Sequence, residues 1–357
     1  MSVDILTTRD SDQWWEYFHK LPESYQHIHF SPAYHKLLEA NGDGQARLFI
    51  YIEEDNFLFY PFMLRSIDQI GDRKLENDYH DVSSVFGYTG PLVFSKVDKF
   101  VNNCHKHLMH YFKEKDVIAE LIRFNPILKN DRLNLWEGLE KVPIKEYTYL
   151  KFPEKSDNLY NIYSSRLQTY LNKAEKMGIK VMTSRSKKDV YDFFDLYCQH
   201  MRRINVDKYY LFSDKYFEEL YDFIQKYGYL IFSRVEGELA AGLVFLEYQQ
   251  AAYYHHGARN IHVDNSSLIN KYLFHKAFVR QIESGLSSCL LGGGATNDDD
   301  DSLLQFKKFF TNKSSDFVIG RRVINHAKYQ KVVDVWKEEC PDADQKYKSF
   351  VDKYRFC

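Results

Sequence analysis

The sequence predicts a mixed α/β fold built from a duplicated unit, and a repeated pattern carries this prediction. A Phe-Ser-x-x-Tyr motif opens an apolar-periodic stretch at Phe30 and again at Phe212. Each stretch is followed by a glycine and then by two apolar runs joined by an acidic turn. Serine favours helix N-caps, so each copy is interpreted as a helix followed by a β-hairpin, the second helix about one turn longer. A repeat at this distance is too long for a solenoid and predicts two domains with a cleft between them.

Composition and charge limit the class of protein. A chain of 357 residues is long enough for about two domains, and its 44% hydrophobic content can form two cores. The net charge of −2 argues against a general nucleic-acid binder and leaves a local basic groove open. The five cysteines are odd in number and lack CxxC spacing, which argues against a disulfide framework and a structural zinc site.

The first residues carry neither a basic segment nor an apolar core of the kind that directs secretion. No run approaches the roughly 18 apolar residues that span a membrane. We therefore expect a cytoplasmic protein with no stable membrane insertion.

Proline use suggests the domain boundary. Seven of the eight prolines lie at or before Pro153, and the segment 141–158 looks like the crossing between domains. The predicted domains are residues 1–152 and 153–357. In the first, residues 78–94 are interpreted as a loop and residues 97–116 as a helix. In the second, helices and strands alternate, which indicates a mixed sheet flanked by helices.

One segment that could carry chemistry is residues 290–310. A strand runs into Gly292, Gly293 and Gly294, then into four aspartates, then into a serine-capped helix with Phe306, Lys307 and Lys308. Glycines allow a ligand to approach the backbone closely. GxxxxGK[ST] and GxGxxG are both absent, and the acids at 298–301 would repel a phosphate or could hold a hard divalent cation. The alternative is that this segment is a solvated loop with no role in binding.

Three further segments offer binding groups. Residues 81–92 form a turn-rich aromatic loop containing Tyr88. Two predicted helices carry cations suited to a pyrophosphate, a carboxylate or an RNA end, although a solvated face is the commoner outcome. These cations are Arg166, Lys173 and Lys176 on one helix, and Arg202 and Arg203 on the next.

The last segment is the strand at 251–259, in which two tyrosines precede His255 and His256. Alternation would send one Tyr/His set to each face of the sheet. No third ligand completes a zinc site, so a general base or a packed histidine remains. The sequence contains no GxSxG, HExxH or kinase signature, which argues against hydrolases, metalloproteases and kinases.

As a set, these segments resemble the Fem-type peptidyltransferases and the wider group of duplicated N-acetyltransferase-like (GNAT-fold) proteins of bacterial envelope-glycan biosynthesis. The resemblance spans roughly residues 30–310. It is carried, in order, by FSPAYHKLL, FGYTGP, RLQTYLNKAEKMGIKV, LYCQHMRR with YYLFSDKYF, VEGELAAGLVFL, YYHHGA, and LGGG followed by SLLQFKKFF.

The resemblance implies two tandem GNAT-like domains with mixed central sheets, flanking helices and an interdomain cleft. It implies transfer of an aminoacyl group from aminoacyl-tRNA to an amine of a nucleotide- or lipid-linked glycan or peptidoglycan precursor, with no cofactor. Lys307 with Phe306 would be catalytic, the lysine stabilising a developing oxyanion or contacting the tRNA end. The glycines at 292–294 would bind the donor. The predicted acceptor-binding residues are Lys36, Tyr88, Arg166, Arg202, Tyr210 and Tyr254, of which Lys36 is slightly out of register.

Two other functions remain open at this point. The first is an acyl-CoA-dependent N-acyltransferase of an amino sugar. The Q/R-x-x-G-x-G/A loop that binds CoA in such enzymes would follow YYHHGA, where this chain reads RNIHVDNSS, and this argues against ordinary CoA use. The second is a catalytically silent relative that binds a glycan precursor or a partner enzyme.

Overall fold

The computed structural model describes residues 1–132, 136–204, 210–295 and 300–357. These residues form two compact units. Unit 1 comprises Met1–Tyr25, His29–Ile144 and Asp316–Cys357, and unit 2 comprises Gln26–Ile28 and Lys145–Ser315. The change of unit after Ile144 lies close to the predicted boundary at 152. The return of the last segment to unit 1 has no counterpart in the sequence-based division, which assigned 153–357 to one domain.

Strands and helices alternate along the chain. The strands are β1 (Ser2–Leu6), β2 (Gln45–Glu53), β3 (Asn56–Ile70), β4 (Arg73–Ser83), β5 (Leu92–Phe94), β6 (Val117–Arg123), β7 (Glu140–Lys151), β8 (Met182–Ser184), β9 (Gly228–Val235), β10 (Glu238–Tyr248), β11 (Ala251–Arg259), β12 (Ser288–Gly292) and β13 (Ser314–Val323). The helices are α1 (Ser11–His19), α2 (Pro32–Asn41), α3 (Asp98–Glu114), α4 (Ser165–Lys176), α5 (Lys187–Arg203), α6 (Asp214–Tyr227), α7 (Ser266–Glu283), α8 (Ser302–Lys308), α9 (His326–Glu339) and α10 (Asp344–Tyr347).

Unit 1 is a mixed sheet with helices packed on it. Its strands follow the order β1-β2-β3-β4-β6-β13, and β5 pairs with β3. The pair β4–β6 is parallel, and the other pairs of that order are antiparallel. Apolar side chains of α3 form one core with β2, β3 and β6, while those of α9 form another with β3, β4 and β6.

The C-terminal segment is fastened to the sheet of unit 1. Asp81 on β4 is 1% exposed and accepts hydrogen bonds from Arg65 Nε (2.7 Å), Tyr354 Oη (2.9 Å) and Arg355 Nε (2.8 Å). Burial alone would raise the pKa of the Asp81 carboxyl, but the two guanidinium groups outweigh it, so this pKa lies below its ordinary value. We call residues 352–355, of which Tyr354 and Arg355 reach Asp81 and Asp352 pairs with Arg65, the C-terminal clasp.

A disulfide joins Cys340, at the end of α9, to Cys357, with their Cα atoms 5.1 Å apart. The sequence argued against a disulfide framework because the cysteines are odd in number and lack a recognisable spacing. That inference is corrected for this pair, because the chain turns back along α9 after α10 and brings the two cysteines together. Cys104, Cys198 and Cys289 are free thiols.

The strands of unit 2 follow the order β7-β12-β11-β10-β9-β8 and are also of mixed direction. The pair β11–β12 is parallel, and the other pairs are antiparallel. The central strands β10 and β11 support α7 on one side, where the phenylalanines of α7 and α8 complete a core with Tyr229 and Phe245. Helices α5 and α6 also pack against this sheet.

The predicted duplication is present in the order and pairing of the elements. In unit 1, Ser31 Oγ caps α2 by accepting from Tyr34 N (3.2 Å), and the antiparallel hairpin β2–β3 follows. In unit 2, Ser213 Oγ caps α6 by accepting from Tyr216 N (3.2 Å), and the hairpin β9–β10 follows. Helix α6 has 14 residues against 10 for α2, which confirms the expected difference of about one turn.

The two glycines after these helices act differently. Gly42 ends α2 in the left-handed conformation (φ 88°), as a C-terminal glycine commonly does. Gly228 is extended and opens β9, and a Cβ there would lie 2.6 Å from the carbonyl oxygen of Phe245. Gly228 therefore follows the end of the helix as the sequence indicated, and it is required there by the close approach of two strands.

Two segments that the sequence analysis predicted to be irregular form strands in the structure. Residues 78–83, assigned to a loop, complete β4, and residues 141–151, assigned to a crossing between domains, belong to β7. Their alternation was obscured by polar residues in β4 and by a proline in β7. Among the described residues, no helix combines the length and apolar character needed to cross a membrane.

Candidate active site

Lys307 is a lysine buried inside unit 2. It lies on α8 and is 5% exposed, although lysine is rarely buried without a partner. Its Nζ donates to the carbonyl oxygen of Gly293 at 2.6 Å and lies 5.6 Å from the centre of the Tyr254 ring. Helix α8 is held in place by Asp301, whose Oδ1 accepts from Leu304 N at 2.7 Å. The lysine predicted as catalytic thus has a fixed, largely desolvated position.

Each of the three positions 292–294 requires glycine because of its immediate surroundings. Gly292 has a φ of 88°, a left-handed conformation that other residues rarely adopt, and a Cβ there would lie 3.2 Å from Lys307 Nζ. A Cβ on Gly294 would lie 2.5 Å from Asp301 Oδ1. A Cβ on Gly293 would approach the side chain of Lys145 to 3.2 Å. The glycines therefore let the backbone pack tightly around two lysines and a carboxylate.

The carbonyl oxygens of these glycines face side-chain donors. Gly292 O accepts from Thr148 Oγ1 (2.8 Å), Gly293 O from Lys307, and Gly294 O from Lys145 Nζ (2.7 Å). A phosphate cradle presents N–H groups instead. In this structure the loop organises the two ammonium groups, and its predicted contact with the donor remains a prediction.

Burial changes the acid–base chemistry of the two lysines. Desolvation lowers the pKa of Lys307 to about 7, and repulsion from Lys145 acts in the same direction. Attraction by Asp301 opposes both effects but is weaker. Burial likewise lowers the pKa of Lys145. Near neutral pH, Lys307 therefore exists in both its charged and its neutral form. A buried lysine of this kind is typical of a functional site, because an ordinary surface lysine stays charged.

A surface of cations and aromatic rings lies beside Lys307 in unit 2. Arg166 on α4 donates to Tyr170 Oη (3.2 Å), and its guanidinium carbon is 5.6 Å from the centre of the Phe309 ring. Lys271 Nζ on α7 lies 5.3 Å from the Tyr170 ring and 5.6 Å from the Phe306 ring. These five residues, which we call the cationic–aromatic surface, include the predicted residues Arg166 and Phe306.

The remaining predicted acceptor residues form other groups. Arg202 is exposed on the last turn of α5, and the exposed Tyr210 accepts a hydrogen bond at its carbonyl oxygen from Tyr197 of α5 (3.4 Å). Both belong to unit 2. Tyr88, half-buried against Phe317, and Lys36, exposed on α2, belong to unit 1. Their shared role at an acceptor site stays a prediction.

The two histidines of β11 do not alternate as the sequence predicted. The pairing of β10 with β11 shifts so that Phe245 faces Tyr254 and Val244 faces His256, which makes His255 an extra residue in the strand. The Nε2 atoms of both histidines therefore reach Tyr216 Oη, at 2.9 and 2.7 Å. Burial lowers the pKa of His256 to about 3, so the pair is a neutral, packed cluster.

The acidic loop is only partly within the described residues. Asp298 and Asp299 lie outside them. Asp301 accepts from the backbone N–H groups of Ala295 (2.8 Å) and Leu304, and so acts as a structural cap. Within the part of the chain that the structure describes, no group of three His, Cys, Asp or Glu side chains could hold a metal ion.

Sequence reasoning missed Lys145, Thr148 and Lys271. Lys145 and Thr148 lie on β7, in the segment taken for an interdomain crossing, and Lys271 lies in a helix to which the sequence analysis assigned no site residue. The link of Lys145 and Thr148 to Lys307 comes from the pairing of β7 with β12, more than 130 residues away in the chain. A local sequence pattern carries no signal of such a pairing.

Comparison with known proteins supports the same fold. Residues 163–308 match the family model described as acetyltransferase (GNAT) domain. The structure is similar to that of FemX, with a TM-score of 0.70, 15% identity, and coverage of 93% of this chain and 99% of that one. No curated protein matches the chain by sequence.

Two other solved structures extend the comparison. A tandem GNAT protein from the clavulanic acid biosynthesis pathway has a TM-score of 0.53, 8% identity, and coverage of 91% of this chain and 99% of that one. L-PGS from Bacillus licheniformis has a TM-score of 0.50, 13% identity, and coverage of 81% and 87%. Residues 163–308 are thus a GNAT acetyltransferase domain, which makes the chain an acyltransferase, and its fold as a whole is similar to that of FemX and of the tandem GNAT protein.

Proposed function

We propose that this acyltransferase forms an amide on a nucleotide- or lipid-linked precursor of a cell-envelope glycan or peptidoglycan, with aminoacyl-tRNA as donor. The observation that carries the proposal is the buried Lys307, fixed by the Gly293 carbonyl beside Tyr254. A buried cation next to a reacting carbonyl stabilises the negative charge that develops on its oxygen.

The chemistry needs few protein groups. The acceptor amine attacks the carbonyl carbon of the donor ester, a C–N bond forms, and the carbonyl oxygen becomes an oxyanion that Lys307 stabilises. Collapse of this intermediate breaks the ester C–O bond, and the proton lost by the amine nitrogen ends on the departing ribose hydroxyl. No covalent enzyme intermediate is required, which fits the positions of Cys104 and Cys289, buried thiols whose pKa values are raised by burial.

The cationic–aromatic surface supports an RNA end as donor. Its three rings are Tyr170, Phe306 and Phe309, and its cations are Arg166 and Lys271. Bases stack on aromatic rings whatever their sequence, and nearby cations attract the phosphates. A net charge of −2 for the chain is compatible with such a local surface.

The segment between β11 and α7 argues against acyl-CoA. Asn265 precedes α7 in a left-handed conformation, with no side-chain cap, and the exposed Asp264 stands just before it. A helix N-terminus favours a pyrophosphate, whereas a carboxylate beside it repels one. The glycine-rich sequence that lets backbone N–H groups surround a pyrophosphate is missing from 260–265.

We therefore expect acetyl-CoA to bind weakly or not at all. Isothermal titration calorimetry with acetyl-CoA, beside a stable analogue of the aminoacylated tRNA 3′ end, measures this directly. The proposal predicts binding of the RNA analogue that weakens as salt rises. Micromolar affinity for acetyl-CoA with none for the analogue would establish the acyl-CoA alternative instead. Transfer of a labelled aminoacyl group to a nucleotide-linked precursor, detected by mass spectrometry, tests the reaction itself.

A second expected result concerns the acceptor. Arg202→Ala should raise the KM for the precursor more than it lowers kcat, because the guanidinium would anchor the precursor equally in the ground and transition states. The matched control is Arg203→Ala, the next residue of α5, also exposed and 3.3 Å from His200 Nδ1. Steady-state kinetics of both variants measure this difference. Equal KM values for the precursor in Arg202→Ala and Arg203→Ala would show that Arg202 is not part of the acceptor site.

A further inference from the structure

Lys145 occupies a position that the reaction just proposed does not use. It lies on β7 of unit 2, and its Nζ donates to the carbonyl oxygen of Gly294 at 2.7 Å. Lys307, from α8, donates to the carbonyl oxygen of the preceding residue, Gly293, at 2.6 Å. Two ammonium groups from different elements therefore hold consecutive carbonyls of one loop.

The loop fits this arrangement tightly. A Cβ on Gly293 would lie 3.2 Å from Cε of Lys145, and a Cβ on Gly292 would lie 3.2 Å from Nζ of Lys307. Thr148, three residues after Lys145 on the same strand, holds the third carbonyl, that of Gly292. Strand β7 thus supplies two of the three donors that fix the backbone to which Lys307 is bound.

Three elements contribute the charged and aromatic groups around Lys307. Lys145 of β7 repels its charge, Asp301 before α8 attracts it, and Tyr254 of β11 presents the face of a ring. Lys271 of α7 points to Tyr170 and Phe306 instead. Lys145 and Asp301 are therefore opposed influences on one buried amine.

We propose that Lys145 is a positioning residue that acts through Lys307: its ammonium group fixes the glycine loop to which Lys307 is bound and repels the charge of Lys307. The lowered pKa of Lys307 agrees with this arrangement. Among the described residues, one carboxylate, that of Asp301, acts on both lysines, so the charged form of Lys307 is disfavoured while Lys145 is charged. The inference rests on the proposed function for the importance of Lys307, but its test does not require substrate.

The test is an NMR titration of the full chain with ¹³C-labelled lysine, in which the Lys307 Cε signal is assigned by its loss in Lys307→Arg. In Lys145→Met, the midpoint of Lys307 should rise by about one pH unit, because a like charge is removed. In Asp301→Asn, which can still cap α8, it should fall. Lys145→Arg, which keeps the charge, and Lys308→Met, a change on the exposed side of α8, should leave it in place.

Circular dichroism melting shows whether each variant is folded, and Lys145→Gln, which removes the charge but can still donate to the Gly294 carbonyl, replaces Lys145→Met if the latter is not folded. An unchanged or lower midpoint in folded Lys145→Met overturns the proposal, as does a Lys145→Arg midpoint that rises like that of the Met variant. If the midpoints shift as expected but the pH profile of kcat does not follow them, the role of Lys307 in the reaction is wrong and the coupling to Lys145 stands.

Discussion

Replacing Lys307 by methionine should lower kcat by about 10²–10³-fold, or roughly 3–4 kcal/mol of transition-state stabilisation. Methionine fills a similar volume and removes the ammonium group, so the change tests charge more cleanly than alanine, which would also leave a cavity. The KM values should change little, because the oxyanion exists only in the transition state. Single-turnover rates of aminoacyl transfer measure the effect.

The control for this result is the neighbouring residue. Lys308 is exposed and pairs with Glu146 at the surface, so Lys308→Met should keep nearly full activity. The pH dependence gives a second check. Since the pKa of Lys307 is about 7, an activity that needs its charge should fall as the pH rises through 7. Equal rates for both variants, or a profile that rises above pH 7, would contradict the oxyanion role.

The second large effect concerns acid stability. Burial lowers the pKa of four histidines that are at most 7% exposed: His27, His35 and His275 to about 4, and His256 to about 3. Below pH 6.5 these histidines become protonated in the unfolded chain but stay neutral in the folded one. The free energy of unfolding therefore falls as the pH drops. At pH 5 each histidine lowers the free energy of unfolding by about 2 kcal/mol. Four such costs are comparable with the whole stability of a typical domain.

Urea unfolding at pH 7.5, 6.5, 5.0 and 4.0 measures this loss, and most of the midpoint shift should occur between pH 6.5 and 4. His275→Gln removes one titrating group, so its stability should depend less steeply on pH than that of the wild type. His262→Gln, at an exposed position, should keep the wild-type dependence. A midpoint that is constant from pH 7.5 to 5.0 would show that these histidines are not buried in their neutral form.

The duplicated helix and hairpin could be predicted because their signals are local. The serine caps at Ser31 and Ser213 and the apolar runs after them act within a few residues of the chain. Lys307 was found through the Phe-Lys pair of a known family and a glycine-rich strand end. Its burial, which gives it unusual acid–base behaviour, depends on residues far away in the chain.

The errors have a common physical origin. Strand β7 carries a proline, lacks clear alternation, and is defined by pairing with β12. The paired direction of His255 and His256 depends on one extra residue in β11 opposite β10, which alternation alone cannot reveal. The disulfide and the clasp depend on the chain returning to unit 1 after unit 2 is complete. These are long-range pairings, for which a single sequence offers no spacing rule.

The clasp has a consequence for the order in which the protein is made. Asp81 is buried with Tyr354 and Arg355, which follow all of unit 2 along the chain. A ribosome therefore completes the continuous stretch Lys145–Ser315 before it supplies the partners that this carboxylate needs. Domains usually mature from the N-terminus onward during translation. Here the sheet of unit 1 is completed only by residues that are synthesised after unit 2.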